Sequence, residues 1–195
     1  MKGNNKYVRE RHFLAKKLSD IILGGQDGLV NVLGLVLGVA SATSDTTIVL
    51  IAGLAATFAE TISMAAVAYT STKADRDYYM SERALEEYEV KNIPDQERKE
   101  IYNIYKKKGI KGQLLNRVVE VITSNKKVWV ETMMSEELNF SPRFDHSPFL
   151  SGVVVFISTF IGSLFPLIPF LLFPVHEGII GSILLSVAVL FVVGV

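Results

Sequence analysis

The sequence predicts an all-α fold: a polytopic helical membrane protein with a helical cytoplasmic domain between the second and third spans. Three observations predict it. First, 49% of the 195 residues are hydrophobic before the 14 glycines are counted, above the roughly 45–50% of a soluble domain with glycine included. Second, the basic residues are segregated: six of the 20 fall between Lys2 and Lys17 and fourteen between Lys73 and Arg143, with none in 18–72 or 144–195. Third, four apolar stretches approach the ~20 residues that a helix needs to cross a bilayer.

The first stretch runs from about Ser19 to Ala42 and the second from about Thr46 to Thr70, separated by the polar turn Thr43-Ser44-Asp45. The third covers Pro148 to Phe173, and the fourth starts near Gly178 and is still apolar at Val195. That run has only eighteen residues and no flanking charge, so the sequence reads as truncated inside or just after a span. Basic blocks stay on the cytoplasmic side. The N-terminus is therefore expected inside, Thr43–Asp45 and Pro174-Val175-His176-Glu177 outside, and the block between spans two and three inside. Three segments result: 1–71, the basic N-terminal segment with spans one and two; 72–147, the cytoplasmic helical block; and 148–195, spans three and four.

Within that block, "STKADRDYYMSERALEEYEV" has no helix breaker and continues span two. Pro94 suits a first helical turn and Gly109 a helix stop. "GQLLNRVVEVITSN" and "KKVWVETMMSEELNF" read as two further short helices. No strand, glycine-rich phosphate loop or nucleophile elbow is visible. The formal net charge is zero, which gives no nucleic-acid signature. The lack of cysteine excludes disulfides, thiolate zinc sites and iron–sulfur clusters. His12, His146 and His176 share no spacing and read as ordinary side chains.

The chemistry lies in acids placed where acids are costly. Asp27 sits inside span one and Glu60 inside span two, with Met64 one turn after Glu60 on the same face. A carboxylate at a span centre costs roughly 2.5–3.5 kcal/mol on insertion scales and marks an ion or proton path. Two carboxylates and a thioether suit a divalent transition metal. Gly24 and Gly28, and then Gly34 and Gly38, repeat the small-xxx-small spacing of close helix contacts. This spacing serves an intersubunit seam or packing within the chain equally well.

In the cytoplasmic block, Glu86 and Glu89 stand three apart on one helix, and Glu97 and Glu100 repeat the spacing on the next. Met133, Met134 and Glu137 share a face of the last helix, with Glu136 adjacent. Converging carboxylates with sulfur at one edge would make a metal site. From spacing alone a solvated acidic face is the plainer account, because 71–147 holds fourteen acids and fourteen bases.

The segments "DGLVNVLGLVLGVASA", "ETISMAAVAYTSTKADRDYY" and "WVETMMSEELNF" closely resemble the vacuolar iron transporter family. The resemblance covers the chain from about Ser19 onward and reverses that balance. It implies five spans, a cytoplasmic metal-binding domain between spans two and three, and a homodimer with the translocation path between subunits. It also implies export of Fe²⁺, and often Mn²⁺, from the cytosol in exchange for protons. Asp27 and Met64 match the family's path residues. Glu86, Glu89, Glu97 and Glu100 match its cytoplasmic glutamates, and Met133, Met134 and Glu137 its late cluster. Where many members carry Gly-Glu-Tyr after the span-two methionine, this chain has Val67-Ala68-Tyr69, and Glu60 is the candidate substitute. The fifth span has no counterpart here.

The expected protein is thus a secondary metal transporter without enzyme activity or prosthetic group. Its substrate is Fe²⁺, with Mn²⁺ and Zn²⁺ as further candidates, and its partners are the lipid bilayer, a second copy of the chain, divalent ions and protons. Its membrane is the cell membrane in a prokaryote and the vacuolar membrane in a eukaryote. The alternatives are a Mn²⁺-selective transporter, a membrane-anchored metal-binding or sensing module, or a di-iron oxidase. The last is disfavoured because no Glu-x-x-His pair is present.

Overall fold

The computed structural model describes residues 3–140 and 147–194, with side chains from Lys17 onward. The side chains of His12 and His146 lie outside the described residues. Every described element is helical. In order they are α1 (Gly3–Ala42), α2 (Thr46–Asn92), α3 (Pro94–Lys107), α4 (Gly112–Thr123), α5 (Lys126–Glu136), α6 (Pro148–Leu164), a 3₁₀ turn (Phe165–Leu167), α7 (Ile168–Leu172) and α8 (Val175–Gly194). Four stretches are long and apolar enough to cross a membrane: Lys17–Ala42, α2, Pro148–Leu172 and Val175–Val193. The helices fall into two compact units, 1–72 with 147–195, and 73–146.

In the first unit, α1 and α6 make the closest approach and α2 stands further off. Glycine permits that approach. A Cβ on Gly24 would lie 2.5 Å from Ser158 Oγ, one on Gly28 would lie 2.6 Å from the Thr159 carbonyl, and one on Gly162 would run into the backbone of Gly25. Apolar packing alone gives little gain between helices in lipid, so backbone proximity and polar contacts must hold them. Ser151 Oγ donates to Asp20 Oδ2 across the pair at 2.7 Å. Asp20 is thus a second acid of the first apolar stretch, and it has a partner at the stretch's edge. Three buried hydroxyls bond to carbonyls, Thr57 to Gly53 at 2.9 Å, Ser163 to Thr159 at 2.7 Å and Ser182 to Pro166 at 2.8 Å, whereas those of Thr61, Thr159 and Ser186 are buried without a partner. Val32, Val36, Ala40, Val49, Leu167 and Phe170 form the apolar core.

Two spans differ from expectation. The third is not one helix: Pro166 and Pro169 each remove an amide donor, and the chain passes through the 3₁₀ turn into α7. The fourth begins at Val175, three residues before Gly178, so Val175, His176 and Glu177 belong to the helix and not to the turn. Gly178 N already bonds to the Pro174 carbonyl at 2.8 Å, and Glu177 in the first turn complements the helix dipole.

The second unit holds the C-terminal part of α2 with α3, α4 and α5 around Val90, Ile101, Leu115, Val119, Trp129 and Met133. Pro94 disfavours helical backbone at the residue before it, so Ile93 alone (φ −131°, ψ 48°) turns α2 into α3. Gly109, at φ 93°, ends α3 in the left-handed region that glycine adopts without strain. Asn125 caps α5 by accepting from Lys127 N at 3.0 Å and Val128 N at 3.3 Å.

Candidate metal centre and intramembrane acids

The Ile93 turn sets the acidic centre. Glu86 and Glu89 are one turn apart on α2, and α3 returns so that Glu97 meets them. One carboxylate oxygen from each of the three lies within 4.8 Å of the others. Glu86 and Glu97 are only 5% and 3% exposed. Each also buries an oxygen, Glu86 Oε2 and Glu97 Oε2, that has no hydrogen-bond partner. Buried acceptors left unpaired are costly, and converging ones are what a cation satisfies.

The electrostatics agree with the geometry. Burial, followed by the nearby charges of Glu97, Glu137, Glu89 and Glu100, pushes the Glu86 carboxyl up to about 8. Burial, then Glu100, Glu89 and Glu137, pushes Glu97 up to about 7. The Glu137 carboxyl is also raised, by desolvation first, then by the charge of Glu100 and a hydrogen bond to it, and by Glu89. Five carboxyl groups thus share one neighbourhood. Such a group either keeps protons or exchanges them for a cation.

The remaining expected residues of this unit are placed differently. Glu136 pairs with Lys108 at the end of α3. Met133 and Met134 are buried in the apolar core beside Trp129 and Ile101.

In the first unit, Asp27 and Glu60 come together, one from α1 and one from α2. Asn31 links them: its Nδ2 donates to Asp27 Oδ2 at 3.3 Å and to Glu60 Oε1 at 2.9 Å. Met64 is half-buried one turn beyond Glu60. Sequence reasoning passed over Asn31, although its spacing of four from Asp27 was a usable signal. Gly24 and Gly28 pack on α6, whereas a Cβ on Gly34 or Gly38 would meet nothing within 4 Å. Helical spacing puts these two glycines on the same face of α1 as Asp27 and Asn31, opposite the buried Val32, Val36 and Ala40. That face is open in the single chain.

Residues 18–195 match the VIT family. The chain belongs to the VIT family. It is 30% identical over 188 residues to a vacuolar iron transporter of Centaurea cyanus, covering 95% of this chain and 77% of that protein. It is 33% identical over 187 residues to vacuolar iron transporter 2 of Oryza sativa subsp. japonica, covering 95% and 76%. Vacuolar iron transporter 1 of Arabidopsis thaliana is 30% identical over 187 residues, covering 95% and 75%. Membership of this transporter family and four apolar helices make the chain a multi-pass membrane protein.

Proposed function

We propose that this VIT-family protein carries Fe²⁺ out of the cytosol in exchange for protons. It acts as a secondary transporter and catalyses no covalent chemistry. The observation that carries the reading is the meeting of Asp27 and Glu60, from different helices, inside apolar spans. Two adjacent carboxylates in a low-dielectric site do not both ionise without a compensating cation. They hold either a proton or a metal ion, and alternation between the two is antiport. Met64 adds a soft donor that favours transition metals over Mg²⁺ or Ca²⁺.

The second unit, within residues 72–147, is the cytoplasmic collector. Glu86, Glu89 and Glu97 bind the ion first, Glu100 and Glu137 complete the charge, and Met133 and Met134 border the site from the core. Segments 1–71 and 148–195 form the membrane part. The open face of α1 with Gly34 and Gly38 receives a second copy, giving a homodimer with the path at the seam. The relatives are named as vacuolar iron transporters, which supports iron as cargo. Mn²⁺ fits the same oxygen donors and is a second substrate.

The test is metal uptake into sealed proteoliposomes with an imposed pH gradient and a pH-sensitive dye inside. Fe²⁺-dependent proton movement that Mn²⁺ competes for is expected. Metal binding without any flux would reduce the protein to a metal-binding module.

A further inference from the structure

We infer that Asn31 is the positioning residue of the intramembrane site, orienting both carboxylates for the ion without itself carrying charge. The inference deepens the transport reading and rests on it for the identity of the site. Asn31 Nδ2 bears two N–H groups, and the structure gives each an acceptor on a different helix: Asp27 Oδ2 at 3.3 Å and Glu60 Oε1 at 2.9 Å. Two carboxylate acceptors fix which end of the amide faces them, because only the nitrogen donates.

The bond to Asp27 is local, four residues back on α1, and follows from helical spacing. The bond to Glu60 spans twenty-nine residues of sequence and reaches α2, which stands further from α1 than α6 does. Each carboxylate yields one oxygen to the amide, while Asp27 Oδ1 and Glu60 Oε2 are not bonded to it. A neutral donor that pins one oxygen of each acid sets the direction of the other. It does so at little cost in lipid, since an amide is far less expensive to bury than a third charge. Outer partners of metal ligands act in this way, and their loss commonly costs 10–100-fold in metal affinity.

The test uses the full chain carrying Glu86→Gln, Glu89→Gln and Glu97→Gln, so that the acidic centre of the second unit is silent. Mn²⁺ binding is followed by electron paramagnetic resonance in detergent, and concentration-dependent flux in proteoliposomes. Asn31→Leu keeps the side-chain size and removes both donors, and should fold at least as well in an apolar setting. It should weaken Mn²⁺ binding and raise the half-saturating concentration by about 10–100-fold, leaving maximal flux within a few-fold. Asn31→Gln keeps both N–H groups and should recover part of the affinity, whereas Asn31→Asp should not. Unchanged binding in folded Asn31→Leu overturns the inference, as does an Asn31→Gln variant no better than Leu. If the parent binds Mn²⁺ in an Asn31-dependent way but moves no metal, the positioning role stands and the transport reading falls.

Discussion

Glu86 and Glu97 each bury a carboxylate oxygen without a hydrogen-bond partner, on two helices joined by the single residue Ile93. The fold holds these acids together at its own expense, and the cost depends on pH. Their carboxyls are pushed up to about 8 and about 7 from an ordinary 4.5. The folded state therefore binds more protons than the unfolded chain between pH 4.5 and 8, and stability falls as pH rises through that window. Trp129 is the chain's one tryptophan and lies in the core of this unit, so its fluorescence reports local melting. The metal-free protein should melt on the order of 10 °C lower at pH 8 than at pH 5. Glu86→Gln, which cannot ionise, should flatten the dependence. A melting point that rises from pH 5 to pH 8 would contradict the assigned cluster.

Metal binding should run in the opposite sense. An ion that displaces protons from these carboxyls binds more weakly as pH falls. Calorimetry in two buffers of different ionisation enthalpy should reveal proton release on adding Mn²⁺ at pH 6.5, and much less at pH 9. Glu86→Gln with Glu89→Gln and Glu97→Gln should remove this component while helicity is kept. Equal binding before and after would make the acidic face a solvated surface.

Asp27→Asn should separate transport from folding. The change keeps shape and removes the exchangeable proton, and in lipid it should if anything ease insertion. Expression should be normal, and proton-coupled metal flux should fall at least 100-fold. Glu60→Gln should behave alike, while Met64→Leu should alter metal preference more than proton coupling. Undiminished coupled flux in Asp27→Asn would mean the acid is structural.

Gly24, Gly28, Gly34 and Gly38 of α1 should divide into two classes. Gly28→Val places side-chain atoms where a Cβ already lies 2.6 Å from the Thr159 carbonyl, and should cost several kcal/mol or abolish folding. Gly34→Leu and Gly38→Leu point into open space in the single chain. They should leave its helicity and thermal stability intact and reduce self-association measured by light scattering in detergent. Loss of folding in Gly34→Leu would place its partner within the chain.

Much of this architecture was legible in the sequence because the signals were local. Pro94 and Gly109 bounded α3, and Thr43-Ser44-Asp45 separated α1 from α2, because each residue type permits little else there. The i,i+3 glutamates were legible as pairs. Their convergence was not, since it depends on how sharply Ile93 bends the chain. The break in the third span was written in Pro166 and Pro169, but overall hydropathy masked it. Glu136 and Glu137 are neighbours with the same chemistry, and only the position of Lys108 across the fold separates them. Asn31 was legible only through its spacing of four from Asp27, because its second bond is to a helix far away in sequence.

The close seating of α1 on α6 has a mechanical consequence. With Gly24, Gly28 and Gly162 allowing no added atom and Ser151 bonded to Asp20, sliding or rolling one helix past the other would drive backbone into backbone. Under the proposed exchange these two would act as a stator. α2 meets α1 through side chains and the amide of Asn31 and meets α6 by backbone where Gly152 lies against the Ala65 carbonyl, so it shares fewer close contacts with the pair than α1 and α6 share with each other. Under that exchange, a displacement that widens the gap between Asp27 and Glu60 would therefore fall to α2 and carry Glu60 with it.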